Sequence, residues 1–95
     1  MRNQYTWNET KRIANLEKHH LDFSDADLVL ENTIKLTIDI ERNGEHRKQV
    51  FAYVLEVLTV LTVVYTERNN TMRIISFRPA KQTEREAYYE WLNDI

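Results

Sequence analysis

Ninety-five residues with one glycine, one proline and no cysteine allow a single domain with short turns, and they exclude disulfides and thiolate metal sites. A formal net charge of −2 argues against the overall basic excess usual in nucleic-acid binders. It leaves room for a local basic site. Cationic groups gather between Lys11 and Lys18 and again at Arg68, Arg73 and Arg78, while acids crowd the middle and the C-terminal end.

In chain order, Gln4 to Trp7 alternates polar and aromatic residues and predicts a short edge strand. Asn8 is an N-cap for a helix running to about His20. Ile13, Leu16 and His20 form its expected apolar stripe, and Lys11, Asn15, Lys18 and His19 its polar face. Ser24 can cap a short helical turn through Leu30. Thr33 to Ile40 is β-branched and alternating, Asn43-Gly44 signals a type I′ hairpin, and Arg47 to Leu55 returns antiparallel. Leu58 to Thr66 is apolar at both parities, as a central strand covered on both sides would be. Asn69-Asn70 makes the next hairpin, since Asn tolerates positive φ, and Thr71 to Arg78 is the return strand. Pro79 ends it. From about Lys81 a closing helix buries Ala87, Tyr88, Trp91 and Leu92. The expected fold is α+β: an antiparallel meander sheet of about four strands with two main helices packed on it, in one domain over residues 1–95.

The longest apolar run, around Leu55 to Tyr65, is about half a bilayer span and is broken by Glu56, Thr59 and Thr62. No charged segment followed by an apolar one opens the chain. A cytoplasmic protein without membrane association is expected. His19, His20 and His46 lack metal-ligand spacing, so no metal or other cofactor is expected.

Trp7, Lys11, Asn15, Lys18-His19, Phe23 and Ala26 resemble the opening of the BrnT family. Val64-Tyr65-Thr66-Glu67-Arg68, then Arg73-Ile74-Ile75-Ser76, Arg78, Ala80, Glu84 and Tyr88, are similar to that family's closing signature, and Glu45 and Arg47 also fit. The sequence departs from the pattern in places. His20 stands where the family typically has Gly, Phe77 where a small residue is usual, and Pro79 at a commonly basic position; the hairpin after Leu55 lacks its customary Gly. The resemblance implies a RelE-like ribonuclease toxin of a type II toxin–antitoxin pair, which stops growth by cutting RNA. It also implies a cognate ribbon-helix-helix antitoxin, with DNA engaged only through that partner.

Metal-free RNA cleavage needs a base for the 2′-hydroxyl proton, an acid for the leaving 5′-oxygen and cations for the phosphorane. His19 is the first acid–base candidate, with Lys18 beside it favouring the neutral imidazole. The plain alternative is a histidine that ends a helix and meets its last carbonyls. His20 reads as buried structure and His46 as solvated. Guanidinium matches phosphate bidentately, so Arg47, Arg68, Arg73 and Arg78 are phosphate candidates. The expected catalytic set is His19, Arg78 and Arg47, with Lys18, Arg68, Arg73 and Lys11 binding RNA. Strand alternation puts Arg73 with Ile75 and Phe77 on one face and Arg78 with Ser76 on the other, so these two arginines need not share a site. Trp7, Tyr65 and Tyr88 could stack on bases, but their spacing, like that of Trp91, reads as core. The alternative function is a non-catalytic, toxin-like module that binds a partner and regulates its operon. No RRM, KH or OB signature appears, which ranks a general RNA-binding domain last.

Overall fold

The computed structural model describes residues 4–95. The elements run β1 (Tyr5–Trp7), α1 (Glu9–His19), one 3₁₀ turn (Phe23–Asp25), α2 (Asp27–Leu30), β2 (Leu36–Arg42), β3 (Glu45–Val54), β4 (Thr59–Arg68), β5 (Thr71–Pro79) and α3 (Gln82–Asn93). Asn43 (φ 54°) and Gly44 (φ 77°) turn β2 into β3, and Asn69 (φ 51°) and Asn70 (φ 63°) turn β4 into β5. Two successive left-handed residues are what a type I′ hairpin requires. The remaining hairpin has Leu58 at φ 56°, and α1 ends on His20 at φ 60°. The two departures from glycine noted in the sequence thus fall on left-handed backbone, where a side chain costs stability.

The strand order is β1-β5-β4-β3-β2. β2 to β5 form the expected antiparallel meander. β1 is an edge strand as expected but runs parallel to β5, Tyr5 opposite Met72 and Trp7 opposite Ile74. The sheet is therefore mixed and five-stranded, with three helices in place of two.

Alternation sorts the core onto both faces. Val50, Ala52, Val54, Leu61, Val63, Ile74 and Phe77 pack with Phe23, Ala26, Val29 and Leu30 on one side. Phe51 and Val60 pack with Ala80, Tyr88, Trp91 and Leu92 on the other. β4 is covered on both sides, as its composition predicts. The Tyr88 hydroxyl accepts from the Tyr53 N–H (3.3 Å) and donates to the Ile34 carbonyl (3.2 Å), pinning α3 to the sheet. Ala87, expected in that buried stripe, is exposed.

α1 corrects the sequence reading most. None of its residues is fully buried, and Ile13 and Leu16 are 46% and 36% exposed. His20, expected inside, is exposed as well. The helix docks instead through polar groups. Asn15 Nδ2 donates to the carbonyls of Phe77 (2.7 Å) and Leu21 (3.0 Å), and Asn15 Oδ1 accepts from the Phe77 N–H (3.2 Å). β1 pairs with β5 only at residues 72–74, so this amide meets backbone groups that no strand reaches. Arg12 ties the helix to Asp22 (3.0 Å).

Leu58→Gly is expected to raise stability by roughly 0.5–1 kcal/mol, the left-handed penalty less glycine's extra unfolded-state entropy. A higher urea midpoint with unchanged m checks it. Asn15→Ala leaves two strand groups unpaired and is expected to lower stability by about 1–3 kcal/mol in the same titration.

Candidate functional site

The arginines are arranged by one irregularity in β5. Val63 faces Phe77, Val64 faces Ser76, and Tyr65 faces Ile74, so Ile75 is an extra residue with no partner of its own in β4. Such a bulge resets strand parity. Ile74 and Phe77 both enter the core, while Arg73, Ser76 and Arg78 fall opposite Thr66, Val64 and Thr62. Strict alternation had placed Arg73 and Arg78 on opposite faces; the bulge puts them on the same one. Arg42, Arg47 and Arg68 belong to this face too. Asp39, Glu41, Lys48 and Glu67 alternate to the other. The net charge of −2 thus conceals five arginines on one sheet face.

Two carboxylates hold this face together. Glu45 accepts from Arg68 Nη2 (2.7 Å) and Arg47 Nε (2.9 Å), and these two bonds hold its carboxyl below the ordinary range. Glu84 takes a forked pair from Arg78 Nη1 (2.8 Å) and Nη2 (3.0 Å). It also caps α3 by accepting from the Lys81 N–H (2.7 Å) and receives Gln49 Nε2 (3.3 Å). Arg78 is the main cause that lowers the Glu84 pKa to about 2. Among the described residues, Arg42 and Arg73 have no carboxylate partner.

A cavity of about 300 Å³ opens in this face. Ile40, Val64 and Ile75 give it an apolar lining, and Gln49, Ser76, Glu84 and the guanidiniums of Arg42, Arg47 and Arg78 supply its polar groups. α3 roofs the neighbouring Phe51–Val60 end and leaves the arginine end open.

His19 is the last residue of α1. Burial first, then the charges of Lys18 and Arg78, depress its pKa below the usual imidazole value. The grip of Asn15 on Phe77 is what carries the end of α1 to Arg78. The imidazole makes no hydrogen bond among the described residues, so it is not spent on helix carbonyls. Lys18 is exposed beside it. Lys11 is exposed eight residues earlier, roughly 12 Å along the helix, and no contact joins it to this site. His46 is exposed near Asp39, at 3.2 Å. Tyr88 is core and Trp91 half-buried. No group of three or more His, Asp or Glu side chains among the described residues is placed to hold a metal.

The site includes three residues not expected there as catalytic or RNA-binding: Arg42, Gln49 and Glu84, the last named only within the family signature. Arg42 was legible from the hairpin, which sets it opposite Glu45. Gln49 and Glu84 meet only through the tertiary fold.

Fold and site together define a small α+β protein with a guanidinium-lined sheet face and a histidine at its rim. The chain belongs to the family described as ribonuclease toxin, BrnT, of type II toxin–antitoxin systems, whose model matches residues 7–84. It is a family of ribonuclease toxins, with RNA as target and an antitoxin as partner. The match ends on Glu84, the residue that holds Arg78. A search of curated proteins returned no match. No helix among the described residues is long and apolar enough to cross a membrane.

The Glu84 pKa is about 2 in the folded chain against an ordinary 4.5, so its stabilisation is complete above pH 4.5 and is lost as pH falls toward 2. Glu84→Gln is expected to lower stability at pH 7 by about 1.5–3 kcal/mol, and the gap from wild type to close as acid titrates the carboxylate. Urea midpoints across that pH range check both parts.

Proposed function

We propose that the chain is a metal-independent endoribonuclease toxin of the cytoplasm, restrained by a ribbon-helix-helix antitoxin through which alone it meets DNA. The observation that carries this reading is the five-arginine face, with His19 at the end of α1 within the electrostatic reach of Arg78 and its pKa depressed. A depressed pKa keeps the imidazole neutral at pH 7 and able to take a proton.

On this reading the RNA backbone lies across the arginine face. Arg68, Arg73 and Lys18 hold flanking phosphates, and Lys11 contributes at most a distant charge. His19 takes the proton of a 2′-hydroxyl, and the 2′-oxygen bonds to phosphorus. The bond from phosphorus to the 5′-oxygen breaks, and that oxygen leaves with a proton from solvent. The products are a 2′,3′-cyclic phosphate and a 5′-hydroxyl. Arg78 and Arg47 direct N–H groups at the crowded phosphorane oxygens, where charge builds in the transition state. Arg78 has five N–H donors; its fork to Glu84 and the bond from Nη1 to the Pro79 carbonyl (3.2 Å) leave those on Nε and Nη2 for phosphate.

One observation favours a non-catalytic, partner-binding module instead. Arg47, Arg68 and Arg78 are already paired with Glu45 and Glu84. Purified chain free of antitoxin is expected to cut total RNA, and His19→Ala to slow cutting by roughly 10²–10⁴-fold. The rate should fall on acidification through a pKa below 6.5, and His19→Ala should lose that limb. Intact RNA, unaffected growth and a stable antitoxin complex together would establish the module.

A further inference from the structure

Gln49 is only 9% exposed, yet it lines the cavity of the arginine face. Its Nε2 donates to Thr62 Oγ1 (3.3 Å) and to Glu84 Oε2 (3.3 Å). An amide nitrogen carries two hydrogens, so both are spent. The carboxylate partner can only accept, which fixes the orientation of the amide. The carbonyl Oε1 has no protein partner, and no buried side-chain oxygen among the described residues lacks one. Oε1 therefore remains accessible to whatever enters from solvent, as a hydrogen-bond acceptor held in a fixed position.

The surroundings suit one kind of visitor. Ile40, Val64 and Ile75 supply apolar surface for a flat ring, and Arg42 and Arg47 supply charge for an attached phosphate. About 300 Å³ is at the lower end of sites that hold one small ligand. Arg78 lines the same cavity and its charge reaches His19.

We propose that this cavity is a base-reading subsite, in which Gln49 Oε1 accepts from the exocyclic amine of an RNA base next to the cut bond. The inference rests on the ribonuclease reading above. It favours adenine, cytosine and guanine over uracil. Uracil has no amine and sets two carbonyls beside its one N–H, so against Gln49 and Glu84 its acceptors would meet acceptors. A buried polar group left without its partner discriminates strongly between otherwise similar ligands.

The test uses full-length chain free of antitoxin and short 2′-O-methyl oligonucleotides of adenine, cytosine or uracil alone, which bind without being cut. Fluorescence anisotropy is expected to show adenine and cytosine binding about tenfold tighter than uracil. Mapped cuts in a mixed RNA should avoid uracil at the same position. Gln49→Leu should level the three affinities. Ile40→Trp, which fills the cavity from β2 and leaves the Gln49 bonds in place, should level them too, so a fold defect in one variant does not decide the outcome. Equal affinities in the wild type, or a preference that survives both substitutions, would overturn the subsite. No binding to any oligonucleotide together with intact total RNA would instead overturn the ribonuclease reading on which it stands.

Discussion

The candidate site depends on one side-chain amide. Asn15 pairs with both backbone groups of Phe77, a residue 62 positions away, where β5 has run past the end of β1. Unpaired strand groups at a sheet edge are costly to cover with apolar surface, and a carboxamide meets both of them. That contact explains why α1 turns a polar side to the sheet and leaves Ile13 and Leu16 outward. It also sets the last turn of α1, with Lys18 and His19, within the field of Arg78.

The second organising feature is the use of strand alternation to separate charge. Arginines of β2 to β5 take one parity, and Asp39, Glu41 and Glu67 take the other. The arginine face thus presents a local cationic surplus to an approaching polyanion. Glu45 and Glu84 keep the guanidiniums in fixed directions without cancelling their surplus.

Features governed by local chemistry were legible in the sequence. Asn43-Gly44 and Asn69-Asn70 fixed two hairpins, and apolar residues at both parities of β4 announced a strand covered on both faces. What escaped was non-local. The parallel pairing of β1 with β5 carries no turn signal, because the partners are far apart in the chain. The bulge was missed although Arg73-Ile74-Ile75-Ser76-Phe77-Arg78 contains its trace: omitting one isoleucine restores strict alternation of polar and apolar residues. Helical periodicity misplaced Ile13 and Leu16 because it assumes that apolar residues dock the helix. Of the site, His19, Arg47 and Arg78 were named from residue chemistry and family resemblance. Gln49 was passed over, since a lone polar residue in a strand reads as solvated.

The topology also fixes an order of assembly. β2 to β5 are joined by tight hairpins, and such local pairings close at small entropic cost and early. The contacts of β1 and α1 with β5 must wait until chain segments far apart have met. During synthesis the N-terminal helix emerges first, yet it has nothing to grip until Phe77 has left the ribosome. His19 and Arg78 therefore come together only once the chain through β5 has emerged, and no shorter nascent segment carries the assembled site.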